Sequence, residues 1–93
     1  MADEIINNVA MKRYELPIAD DAVAVTYYGI EDGRVVLRHT EVPSEYGGQG
    51  IGKRLAHAVF ETLRADGKRV IAKCPFMASY AAQHPEYAAM LDG

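Results

Sequence analysis

The chain has 93 residues, about half of them hydrophobic and a quarter charged, with 10 Lys and Arg against 13 Asp and Glu. That length admits one core and excludes a core plus a second lobe. A net charge of −3 with one cysteine, Cys74, excludes an internal disulfide and argues against a nucleic-acid binder, which shows a basic excess or stripe.

The remaining bulk features point to a cytoplasmic protein. The start lacks a basic segment followed by an apolar run, so no signal peptide is read. No stretch approaches the ~20 apolar residues that span a membrane.

In chain order, residues 1–8 are left frayed. Val9 to Leu16 reads as a first strand ending near Pro17, and Asp20-Asp21 as a turn. Ala22 to Gly29 is rich in β-formers and reads as a strand. Asp32-Gly33 then supplies a hairpin turn, since both residues tolerate the positive φ that hairpin twist demands. Arg34 to Val42 follows as the partner strand. Strict alternation puts Val35, Leu37, His39 and Glu41 on one face, and Val36, Arg38, Thr40 and Val42 on the other. Each face turns polar towards the far end, as a strand bordering a site does, or one that simply reaches solvent.

Pro43 stops that strand. Glu45 to Gly52 is a loop running into a helix, whose buried stripe is Ile51, Leu55, Ala58, Val59, Thr62 and Leu63. His57 falls on the solvated side. Gly67 supplies a left-handed cap, and Arg69 to Cys74 a short strand able to return parallel to the third. Pro75 opens a helix over 76–83, His84-Pro85 breaks it, and Glu86 to Leu91 adds one more turn. The order is β-β-β-α-β-α, an α+β fold.

The loop Gly47-Gly48-Gln49-Gly50-Ile51-Gly52-Lys53 packs four glycines into six positions directly before a helix. Glycine allows close backbone approach, and a helix start presents free N–H groups and a positive dipole end, together an anion site. Lys53 and Arg54 add charge there, and pyrophosphate is the guest expected. A Walker-type P-loop would need Ser or Thr where Arg54 stands. A dinucleotide fingerprint would need glycine where Lys53 stands. The acyl-CoA pyrophosphate pattern [QR]-x-x-G-x-[GA] takes Gly50 and Gly52. A bare strand-to-helix turn is the bland alternative.

Taken in order, His39-Thr40-Glu41-Val42-Pro43, the loop 47–52, Cys74-Pro75-Phe76, Tyr80 and His84-Pro85-Glu86-Tyr87 resemble the GNAT superfamily of acyl-CoA-dependent N-acetyltransferases, in particular its very short members. The resemblance implies a mixed sheet whose third and fourth predicted strands splay into a V holding acetyl-CoA. Thr40, Glu41 and Val42 would pair with pantetheine amides, and Gly47 to Arg54 would hold the pyrophosphate. A primary amine would accept the acetyl group. Gly47 departs from the superfamily's usual Gln or Arg. The helices that larger members place between their first strands are missing, which leaves the acceptor site open, walled by a second subunit, or shaped for a protein acceptor.

Acetyl transfer needs a base, an acid and positioned reactants. Cys74, at a helix start that makes thiols more acidic, is a candidate to carry the acetyl group or to line the pocket. Its bland reading is a small buried hydrophobe. Tyr80 matches the family's general acid, or is a core aromatic. His39 or Glu41 is the candidate base. No metal ligand set is read. The alternative to an enzyme is a module that binds acyl-CoA with little turnover and acts through a protein partner.

Overall fold

The computed structural model describes residues 4–92. One five-stranded sheet has its strands in sequence order: β1 (Ile6–Asn8), β2 (Arg13–Ala19), β3 (Ala22–Glu31), β4 (Arg34–Glu41) and β5 (Val70–Ala72). The first four pair antiparallel, and β5 returns parallel to β4. Helix α1 (Ile51–Ala65) makes the crossover, and α2 (Pro75–Ala82) and α3 (Pro85–Ala88) follow β5. The architecture is the α+β mixed sheet expected, with one strand more.

That extra strand corrects the reading of the N-terminal part. Residues 6–8 form β1 rather than a frayed start, while Val9 to Lys12 is a turn rather than the start of a strand. Lys12, at φ 52°, closes that turn. The next strand runs on through Pro17, which still sits opposite Val23, with the register shifting between Pro17 and Ala19. A proline lacks only the N–H, so it is tolerated at such an irregularity. Residues 1–3 lie outside the described part.

The Asp-Gly turn forms as expected. Asp32 and Gly33 sit at φ 52° and 76°, and they join β3 to β4 with two residues. Gly67, at φ 66°, ends α1, and the Lys68 N–H reaches back to the Leu63 carbonyl.

β4 does not alternate strictly. Tyr27 faces His39 but Tyr28 faces Leu37, so Arg38 is an extra residue, a β-bulge. The bulge shifts the phase of the strand's outer half by one. Thr40, not His39 or Glu41, therefore shares the face of Val35 and Leu37, and it lies opposite Thr26. This corrects the face assignment made from alternation.

The core lies on that face. Tyr14, Leu16, Ala24, Tyr28, Val35 and Leu37 of the sheet meet Leu55, Val59, Phe60 and Leu63 of α1 and Met77 of α2. Each Val, Leu, Phe or Met side chain among them contributes about 1.5–3 kcal/mol by leaving water. The α1 stripe also takes in Ala56 and Phe60, while Thr62 is half-buried rather than buried. The opposite face carries Arg13, Glu15, Tyr27, His39 and Glu41, in register across β2, β3 and β4. Beyond α3, the Val70 N–H donates to Met90 and the Asp92 N–H donates to Val70, so residues 90–92 run along the outer side of β5.

Candidate functional site

The geometry of the site begins where β5 leaves β4. Parallel pairing stops at Leu37 and Ala72, and both the Lys73 and the Cys74 N–H donate to the Leu37 carbonyl. These two hydrogen bonds to one carbonyl mark the point where the chain turns away. Beyond it, among the described residues, no strand pairs with the β5-facing side of β4 from His39 to Glu41.

A cavity of about 390 Å³ fills the opening, lined by His39, Thr40, Val42, Gly52, Cys74, Pro75 and Phe76. Its apolar walls come from Val42, Pro75 and Phe76. The Cys74 thiol, 5% exposed, donates to the Thr40 hydroxyl at 3.4 Å, and Thr40 bonds the fully buried Thr26 hydroxyl at 3.1 Å. Cys74 also precedes α2, where Pro75 starts the helix.

The glycine loop stands at the other end. Gly48 and Gly50 sit at φ 79° and 74°, a conformation few other residues adopt cheaply. Gly50 is the N-cap of α1, with no side-chain cap hydrogen bond and no acidic residue in the first turn to answer the positive end of the dipole. Gln49 and Lys53 are exposed beside it, and Ile51 is buried as the first core residue. Gly47 differs from its neighbours, because its N–H is committed to the Ser44 carbonyl in a single 3₁₀ turn over Ser44–Tyr46. Gly52 is there for space: a Cβ would meet the Phe76 ring at 3.1 Å. Phe76, 40% exposed, belongs to the Cys74-Pro75-Phe76 motif but has no role in the sequence reading, and here it walls the cavity.

The structure brings Cys74, Thr40, Val42, Gly52 and His39 together around one cavity. His39 Nε2 lies 3.1 Å from Glu41 Oε2, and the His39 ring stacks on Tyr27. Tyr80 is set apart. It lines a separate hollow of about 130 Å³ with Lys53, Ser79 and Gln83, and Phe76 borders both hollows. The Tyr80 ring stacks on His84 at 4.2 Å and belongs to an aromatic group with Phe60 and Tyr87. Burial raises its pKa above the usual phenol value, aided by Glu86 and Glu61, so the hydroxyl keeps its proton at neutral pH.

His57 and Tyr87 form a cluster that the sequence did not reveal. The buried Tyr87 hydroxyl donates to Glu61 at 2.5 Å, so its 3.1 Å contact with His57 Nδ1 requires the ring to donate. Burial, then the Glu61 bond, raises the Tyr87 pKa. His57 thus ties α1 to α3 rather than being merely solvated. Among the described residues no group of three or more His, Cys, Asp or Glu is placed to hold a metal, and no helix is long and apolar enough to cross a membrane.

A mixed sheet that splays beside a glycine-started helix fits an acyltransferase, and the sequence profile identifies that class. Residues 13–90 match the sequence profile of the GCN5-related N-acetyltransferases, and the chain belongs to that family. The solution structure of a GCN5-like protein of Staphylococcus aureus, named for its likeness to N-acetyltransferases, superposes with a TM-score of 0.69 at 28% identity, covering 100% of this chain and 92% of that one. Protein NATD1 of human and of chicken is 35% identical over 63 residues, 67% of this chain. The chain covers only 57% of the chicken protein's length and 56% of the human one's.

Proposed function

We propose that the protein transfers an acetyl group from acetyl-CoA to a primary amine. The observation that carries this reading is the cavity where β5 leaves β4, with a thiol on one wall and an uncapped glycine-started helix at its end. The free side of β4 from His39 to Val42 suits the amides of a pantetheine arm. The N–H groups from Gly48 to Lys53, with the Lys53 charge, suit a pyrophosphate, whereas the Arg54 N–H already donates to the Gly50 carbonyl at 3.1 Å. Gly47 contributes the bend rather than an N–H.

The thioester supplies an activated acyl carbon. The His39–Glu41 pair takes the proton that the ammonium must lose before its nitrogen can attack. As the new C–N bond forms and the C–S bond breaks, the leaving thiolate must take a proton, and Tyr80, which holds its own, serves as that acid where the coenzyme arm runs past Phe76, the residue that borders both hollows. Cys74 lines the cavity in which that carbon would sit. In the two-step variant its thiolate forms an S-acetyl bond, releases the coenzyme thiol, and passes the acetyl group to the amine.

The test pairs binding with turnover. Titrating ¹⁵N-labelled protein with acetyl-CoA is expected to shift the amides of Gly48 to Lys53 and Thr40 to Val42. Cys74→Ala and Tyr80→Phe are each expected to slow acetyl transfer. An acetyl adduct on the wild type that is absent from Cys74→Ala identifies the two-step route. Amide shifts absent at millimolar ligand would overturn the proposal.

A further inference from the structure

The opposite face of the sheet holds a second hollow, of about 200 Å³, lined by Arg13, Val23, Val25, Glu41, Val42 and Pro43. Val42 lines the larger cavity as well, so the two meet at the end of β4. The His39–Glu41 pair spans the same boundary, His39 bordering the larger hollow and Glu41 the smaller. A group seated in the smaller hollow would lie beside Glu41, with Val42 between it and the cavity that holds Cys74.

We propose that this hollow is the acceptor site, and that it takes a primary ammonium on an unbranched aliphatic stem. The inference rests on the acyl-transfer reading above and specifies its second substrate.

The lining decides the chemistry. Val23, Val25, Val42 and Pro43 offer hydrocarbon, which rewards an apolar stem and recognises no polar group. Two charged side chains remain. Arg13 is already engaged: its Nε donates to Glu15 at 2.6 Å, a second nitrogen donates to the Tyr27 hydroxyl at 3.1 Å, and the guanidinium lies 5.8 Å from the Tyr27 ring centre. Its charge is answered locally, so the wall does not call for an anion. Glu41 has one oxygen on His39, and more than half of its side chain is exposed. Its other oxygen suits an ammonium, which carries three donors and no acceptor. A lysine side chain of a polypeptide and a free alkyl diamine share this chemistry.

The test is a binding titration, independent of turnover. ¹⁵N-labelled protein is saturated with free coenzyme A, then titrated with butylamine, pentylamine, hexylamine, hexanol and norleucine. Alkylamines are expected to shift Val23, Val25, Glu41 and Val42, each added methylene tightening binding by about fourfold. Hexanol is expected to bind about tenfold more weakly than hexylamine, lacking the charge. Val23→Phe, filling the hollow, is expected to weaken hexylamine by about tenfold while the coenzyme shifts at Gly48 to Lys53 persist. Amine shifts elsewhere, amine binding unchanged by Val23→Phe, or norleucine binding more tightly than hexylamine would overturn the acceptor site alone. Absent coenzyme shifts would instead overturn the parent reading. Comparing Nα-acetyl-lysine amide with 1,5-diaminopentane identifies the source of the amine, the tighter of the two being favoured.

Discussion

Cys74 Sγ and Thr40 Oγ1 lie 3.4 Å apart, a bond between the start of α2 and β4 at the place where β5 has already turned away. Thr40 in turn bonds Thr26, whose side chain is fully buried. The three side chains bridge β3, β4 and α2 across an opening that the sheet itself does not close.

That chain predicts a non-additive pair of substitutions. Thr40→Val leaves the Thr26 hydroxyl without its partner and should cost about 1–3 kcal/mol. Thr26→Val should cost less, because the half-buried Thr40 hydroxyl keeps its contact with Cys74. The double variant should cost clearly less than the sum, because neither hydroxyl is then stranded. Urea unfolding of the four proteins measures the coupling, and strict additivity would contradict the bond.

The close approach of Gly52 to Phe76 predicts a separation of stability from binding. In Gly52→Ala the Phe76 ring must give way by a few tenths of an ångström, at the mouth of the larger cavity. Alanine favours the helix by up to ~1 kcal/mol over glycine, which offsets the crowding. Thermal stability should therefore change little while acetyl-CoA binding weakens, as calorimetry with that ligand can show.

Tyr87→Phe should destabilise the protein by about 1–2 kcal/mol, since its hydroxyl bonds a carboxylate and an imidazole across α1 and α3. The aromatic packing against Phe60 remains in the variant. A denaturation midpoint equal to wild type would show that the hydroxyl contributes nothing.

Alkaline pH should unfold the protein through Tyr14. Burial pushes its pKa from 10.0 up to about 12, with Tyr28 and Asp66 adding to the shift. Below pH 10 both folded and unfolded chains hold the proton. Between pH 10 and 12 only the folded chain does, so stability falls as pH rises, by about 2 kcal/mol across that window. Tyr14→Phe should flatten that arm of the stability profile, read by denaturation at several pH values.

Much of this was legible in the sequence because local chemistry dictated it. Asp32-Gly33 and Gly67 demand positive φ, Pro75 starts a helix, and the glycines before α1 leave few alternatives. The rest depended on partners distant in sequence. Nothing local marks Arg38 as an extra residue, yet its bulge decides that Thr40 meets Cys74. β1 exists because residues 13–15 offer an edge to residues 6–8. Pro17 reads as a stop, but at an irregular pairing its missing N–H costs little. Thr26 looks like an ordinary strand residue until its bond to Thr40 is seen, and Phe76 like an ordinary helix residue until the cavity it lines is seen.

The gap beside β4 also bears on colloidal behaviour. An unpaired strand flank invites edge-to-edge association between copies. Here the free flank extends only from His39 to Glu41 before Pro43, and Pro75 stands on the opposite wall of the cavity. A run that short, ended by a residue with no N–H to offer, has room for the amides of a small molecule but gives a foreign strand too few rungs to climb. The protein can keep a permanently open seam in its sheet without that seam becoming a nucleus for aggregation.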